Sequence, residues 1–234
     1  LTDRVASFFP DLLPDSISDN LASMTVCDLL TMTSGVQPDP LMRTTGADWI
    51  RRYLAKPVEK PGETFHYDSM CSYLLSAIVQ RVTGQKTLDY LKQRIFNPLH
   101  ITEVDWEESP EGINTGGWGL RMQVESMAKI GQLLLNKGNW EGKQLISSEW
   151  VEEMTSSLQE TGMMDTYGYH IWRCDYPNAY RADGALGQYI IVAPDEDMVV
   201  AITQANTSNG VAGRHLVWDF PPKGTSEPLP DTTG

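Results

Sequence analysis

Pro61-Gly62-Glu63-Thr64-Phe65-His66-Tyr67-Asp68-Ser69 leads from a Pro-Gly turn, through a short aromatic stretch, into a run of helical pattern. Apolar residues at Leu74, Leu75, Ile78, Val79 and Val82 recur with a 3.6-residue period, and Gly84 follows. The spacing predicts a helix from about Ser69 to Val82. A polar group at the mouth of such a helix is held on rigid structure, which makes Tyr67 a candidate catalytic residue. A phenol titrates near about 10 and works as a base only when cationic neighbours lower it. Tyr67 therefore needs both a nucleophile and a cation.

Other helices are read outward from this one. Thr25-Val26-Cys27-Asp28 has the form of a capping box, opening a short helix through Leu29, Leu30 and Met32 that stops near Gly35. A second is expected from about Ala47 to Ala55, before Pro57. Another starts at Thr87 and carries Leu88, Leu91, Ile95 and Phe96. A further helix spans about Val124 to Asn136, and Asn139 to Leu145 forms a small turn. Ser147 or Ser148 then caps a helix through Trp150, Val151 and Met154.

The last third is strand-like. Tyr167 to Arg173, Leu186 to Ala193 and Met198 to Thr203 are rich in Val, Ile, Tyr and Trp. Pro194-Asp195-Glu196-Asp197 turns between the last two, which predicts antiparallel neighbours. Helices followed by a strand meander imply an α+β fold: an antiparallel sheet flanked by helices. Residues 1–220 are assigned to one domain. Residues 221–234 are rich in proline, and disorder is expected there.

Composition narrows the function. A compact chain of 234 residues buries roughly 70–75% of its unfolded surface, enough for a sizeable core. The net charge of −13 argues against nucleic acid and anionic membranes as partners. No apolar run is long enough to span a membrane. Cys27, Cys71 and Cys174 imply no disulfide framework, and Cys27 and Cys71 read as small core residues. The four histidines form no metal-binding spacing, and no phosphate-binding or dinucleotide loop occurs. Neither a metal nor a cofactor is expected. The sequence assigns neither compartment nor oligomeric state.

Nucleophilic chemistry gives two patterns. Among eight lysines only Lys129 follows a serine by three residues, in Ser126-Met127-Ala128-Lys129. A Ser-x-x-Lys places hydroxyl and amine on one helix face, but a surface Ser and Lys on an amphipathic helix accounts for this one more simply. Tyr180-Arg181-Ala182-Asp183-Gly184-Ala185-Leu186-Gly187-Gln188-Tyr189 reads as a strand interrupted by two glycines. It is either a tight strand bend or a place where backbone N–H groups meet a substrate oxygen.

Five segments in order resemble the serine β-lactamase and penicillin-binding-protein-like family, in particular its class C-like esterase and amide hydrolase branch. They are Leu29 to Gly35; Pro61 to Ser69 with Leu74-Leu75-Ser76-Ala77-Ile78; Gly116-Gly117-Trp118-Gly119-Leu120-Arg121-Met122; Met127-Ala128-Lys129; and Gly184 to Gln188. The resemblance covers about Leu1 to Gln204 and implies a β-lactamase/transpeptidase-like fold.

It also implies an acyl-enzyme on the serine of a Ser-x-x-Lys, with a tyrosine sharing the proton transfers. Tyr67 matches that tyrosine, and Ser69 stands where many members have Asn. Ala182-Asp183-Gly184 matches the strand motif that lines the site, with Ala185 N–H as oxyanion donor. Ser69, Trp118, Asp183 and Gly184 are the expected substrate-binding residues. Ala182 replaces the usual cation of the strand motif, favouring an ester or amide over a β-lactam carboxylate. Arg181 is expected on the opposite strand face. Ser126 and Lys129 match a different family helix. The family's Ser-x-x-Lys precedes the segment resembling Leu1 to Pro10. The nucleophile helix, two N-terminal strands and most of the C-terminal helix, of which Ala212 to Phe220 is the beginning, are thus expected outside these residues. The chain is then expected to be inactive alone, with its three-strand sheet left an open edge. The alternative is a non-catalytic binding or scaffold protein on the same fold.

Overall fold

The computed structural model describes residues 1–43, 46–163, 165–205 and 217–218. Helices come first: α1 (Asp19–Ser23), α2 (Val26–Leu30), α3 (Trp49–Leu54), α4 (Ser69–Thr83) and α5 (Thr87–Leu91), the last continued by a π-helical turn at Lys92–Phe96. A small pair, β1 (Val104–Trp106) and β2 (Leu120–Met122), precedes α6 (Val124–Leu135). The hairpin β3 (Asn139–Trp140) and β4 (Lys143–Gln144) leads to α7 (Ser148–Met154). Strands β5 (Gln159–Glu160), β6 (Thr166–Tyr167), β7 (Trp172–Arg173), β8 (Tyr180–Gly184), β9 (Gln188–Ala193) and β10 (Met198–Ile202) form one sheet, each antiparallel to its neighbour in sequence. The architecture is α+β.

The capping box at Thr25 forms as the sequence predicts, with reciprocal bonds to Asp28. Its helix, however, ends at Leu30, because Met32 turns into the left-handed region at φ 58°. Gly35 follows with φ +78°, and a Cβ there would fall 2.3 Å from the Glu59 carbonyl oxygen.

Helix α4 is the spine of the helical half. Asp68 caps it by accepting a bond from Met70 N at 2.9 Å, and Gly84 ends it at φ 69°. Its buried stripe is Met70, Cys71, Tyr73, Leu74, Ala77 and Ile78. The face is rotated from the one predicted, since Val82 is 65% exposed. Tyr73 and Leu74 are wholly buried, and burial of a leucine side chain stabilises a fold by about 1.5–3 kcal/mol. They pack with Phe9, Leu29, Trp49, Ile50 and Tyr53 in the main core.

Two expectations about the sheet are corrected. Tyr167 to Arg173 is not one strand. It is β6, a turn and β7, with Gly168 N donating to Ile171 O at 2.8 Å. Gly168 is required there, because a Cβ would fall 2.2 Å from Met154 O. The interrupted strand at Tyr180–Tyr189 is likewise two paired strands, joined by a turn in which Leu186 and Gly187 have φ 67° and 89°. The sheet therefore has six strands among the described residues rather than three. Cys71 is in the core, but Cys27 is only half-buried, its Sγ 3.9 Å from Tyr169 Oη. The proline-rich 221–234 lies outside the described residues, and of Ala212 to Phe220 only Val217 and Trp218 are described.

Helix α6 covers one face of the sheet. A Cβ on Gly131 would meet Val199 at 2.5 Å and Ile190 at 2.8 Å, so helix and sheet touch closely there. Ile190 and Val192 pair with Ala182 and Tyr180, placing those residues on the α6 face. Tyr189 and Ile191 pair with Asp183 and Arg181 on the other face.

Gly116→Ala and Gly112→Ala separate conformational strain from collision. Both glycines have left-handed φ, but only a Cβ at Gly116 meets backbone, 2.3 Å from Ser72 O. Urea denaturation should show a loss of about 1 kcal/mol for Gly112→Ala and about 3 kcal/mol or more for Gly116→Ala.

His170 provides a pH test. Its Nε2 lies 3.3 Å from Leu29 O, and burial pushes the imidazole down to about 4. An unfolded histidine titrates near about 6.5, so on acidification the unfolded chain takes the proton first. The contribution is complete above about 6.5 and is lost as pH falls towards 4. His170→Asn tolerates the left-handed φ of 56° without titrating. Its unfolding free energy should fall less than wild type between pH 7 and pH 4.5.

Candidate active site

Tyr67 lies one residue before the Asp68 cap, so the cap fixes the backbone that presents the phenol. Asp68 is buried, and burial raises its carboxyl above the usual range. Its N–H points at Met32 Sδ, 3.5 Å away. Behind it, Tyr53 Oη donates to Ser34 Oγ at 2.8 Å and lies 3.5 Å from Cys71 Sγ. Tyr67 itself is 46% exposed.

The phenol sits on an aromatic cluster. Tyr67 stacks on Trp172 at 5.6 Å and meets Tyr167 edge-on at 6.3 Å. Tyr167 and Trp172 are 4.8 Å apart, and Phe65 packs against both. Trp172 pairs with Arg181 across β7 and β8, so this cluster occupies the sheet face opposite α6. The sequence reading missed Tyr167 and Trp172 as site residues. Their shared face depends on the turn at Gly168–Ile171, and only that turn's position could have signalled it.

Arg181 does lie on the face opposite Ala182, as alternation requires. That face is the one carrying Trp172 and Tyr67. The guanidinium sits 5.5 Å from the Trp172 centroid. It is 3% exposed and fully engaged: Nε donates to Asp183 at 2.8 Å, Nη2 to Asp165 at 2.8 Å, and Nη1 to Arg173 O at 2.9 Å. Ala182 is turned to the α6 face.

The cation expected beside Tyr67 is not found among the described residues around it. Burial raises the phenol above its ordinary value, and the negative charge of Asp183 raises it further. Tyr67 is therefore held neutral at physiological pH.

The loop Gly116–Gly119 closes on the mouth of α4. A Cβ at Gly117 would fall 2.8 Å from Ser69 O, so glycine alone permits this approach. Ser69 and the loop are thus brought together. Trp118 turns its ring to Trp49 at 5.9 Å, with the Arg43 guanidinium 5.2 Å from its centroid. Ala185 is exposed at the turn after β8, next to Gly184. Lys129 pairs with Glu125 at 3.1 Å on α6, one helical turn away. Among the described residues no group of His, Cys, Asp and Glu could hold a metal ion, and no helix is long and apolar enough to cross a membrane.

The sequence model of the Beta-lactamase family matches residues 1–219. The chain belongs to this β-lactamase family of serine hydrolases, whose members act on esters, amides and β-lactams. Protein flp of Staphylococcus aureus (strain COL) is 28% identical over 117 residues, 47% of this chain and 23% of that protein. A Bacillus anthracis protein provisionally named a 6-aminohexanoate-dimer hydrolase superposes with a TM-score of 0.79 at 20% identity, over 94% of this chain and 65% of that one. The octameric penicillin-binding protein homologue of Pyrococcus abyssi gives 0.70 at 21% identity, over 93% and 60%. The chain thus spans less than a quarter of the curated relative and about two thirds or less of these structures.

Asp183→Asn keeps an acceptor for Arg181 and removes the charge. NMR titration of ring-labelled tyrosine should show the Tyr67 midpoint moving down from its wild-type position. An unmoved midpoint would remove Asp183 from the site's electrostatics.

Proposed function

We propose that this chain forms the tyrosine-bearing part of an ester or amide hydrolase that works through an acyl-enzyme. The observation that carries the proposal is the phenol of Tyr67, half exposed at the capped mouth of α4 and seated on Trp172 of the sheet. In this reading a serine attacks the substrate carbonyl while a lysine and Tyr67 relay its proton. The ammonium of that lysine, brought against the phenol, lowers it into working range. Ala185 N–H donates to the developing oxyanion. Ser69, Trp118, Asp183 and Gly184 line the substrate.

The serine and lysine come from outside these 234 residues. The Ser-x-x-Lys that they do contain, at Ser126, lies on α6 with its lysine engaged by Glu125. The chain alone is accordingly inactive. A non-catalytic binding protein on the same fold is the second reading, favoured by the neutrality of Tyr67 in its own surroundings.

A fluorophosphonate probe distinguishes the two. The longer protein carrying this chain should be labelled at a serine outside these residues, and the 234-residue chain should give no burst with a p-nitrophenyl ester. Labelling only at Ser126, or none, rules out the hydrolase assignment. Tyr67→Phe should lower kcat by about 10²–10⁴ with KM nearly unchanged.

A further inference from the structure

Strand β8 presents an unusual charge arrangement to the site. One guanidinium, Arg181, holds two carboxylates, Asp165 and Asp183, each at 2.8 Å. One positive and two negative charges leave the trio with a net charge of −1. Exposure is graded: the side chain of Arg181 is 4% exposed, Asp165 14% and Asp183 27%. A molecule approaching β8 therefore meets the Asp183 carboxylate, while the cation lies beneath it with its donors engaged.

The neighbouring surface is aromatic. Tyr67 and Trp172 stack beside Arg181, and aromatic faces attract cations. Ala182, between Arg181 and Asp183, points to the α6 face and offers no charge. Of the cations near the helix mouth, Lys56 pairs with Asp39 at 3.4 Å and Arg43 is stacked over Trp118. Nothing on the β8 side of the site offers a free cation to a carboxylate ligand among the described residues.

We propose that the subsite beside β8 takes an ammonium group, held between the Asp183 carboxylate and the Tyr67–Trp172 rings, so that the substrate is an amine-bearing ester or amide. This rests on the hydrolase reading for its chemistry, but not for the binding preference. Carboxylate-bearing analogues meet like charge at Asp183 and are discriminated against. The upward push of Asp183 on the Tyr67 phenol shows that its field reaches the same point. A bound ammonium would offset that field.

The test uses the longer protein carrying this chain and three size-matched substrates, the p-nitrophenyl esters of Nα-acetyl-lysine, Nα-acetyl-norleucine and Nα-acetyl-glutamate. The lysine ester should exceed the glutamate ester in kcat/KM by at least about tenfold, as expected for one partly buried charge contact. Asp183→Asn should bring the ratio close to one and Asp183→Lys should invert it, while Asp183→Glu preserves the order. Hydrolysis of all three at equal rates, or a glutamate preference, overturns the inference and leaves the hydrolase reading intact.

A second measurement is independent of turnover. Tryptophan fluorescence of the 234-residue chain should respond to butylammonium and not to butyrate, and Asp183→Asn should abolish the response. Absence of hydrolysis with this selectivity retained defeats the hydrolase reading alone. Equal responses to the two ions defeat the ammonium subsite.

Discussion

The close approach of the Gly116-Gly117 backbone to the first turn of α4 is the constraint on which the site depends. The helix cannot leave this contact without opening the main core, where its wholly buried Tyr73 and Leu74 are anchored. The Asp68 cap then ties the preceding residue to the helix axis. Tyr67 inherits its position from these contacts rather than from any bond of its own phenol. In the proposed hydrolase, a phenol held this way would lose little entropy on engaging a substrate.

The sheet adds a second constraint. Alternation along β8 divides its side chains between two environments, and α6 occupies one of them through the Gly131 contact. The other face is left for Arg181 and Asp183. A single-residue shift in register would have put Ala182 beside Trp172 and buried a guanidinium under α6. The paired register thus determines the charge of the site. The Arg181 guanidinium, sunk into the sheet, holds both carboxylates and leaves Asp183 the more exposed of the two.

The electrostatics explain why Tyr67 is neutral as it stands. A phenol among aromatic rings and beside a carboxylate has no reason to ionise. In the proposed mechanism the charge that lowers it comes from a cation brought against it. The chain holds the tyrosine, the aromatic seat and the strand, and these parts of the site are in place without that cation.

Sequence alone determined the helices that carry local signals, because caps, glycine stops and 3.6-residue periodicity act within a few residues of themselves. The Thr25 capping box, the helix from Ser69 stopped by Gly84 and the Pro194 turn are of this kind, and so was the position of Tyr67 at a helix mouth. The family was legible from the order of its motifs. Tertiary structure decided the rest. Which stripe of α4 is buried depended on what packs against it. Tyr167 and Trp172 became neighbours only through the turn at Gly168, a glycine required by Met154 O at the end of α7. Arg181 and Asp183 joined the site because α6 covers the other face. Faces, registers and charge neighbours are properties of pairs of elements distant in sequence, and a one-dimensional pattern carries only the periodicity of each.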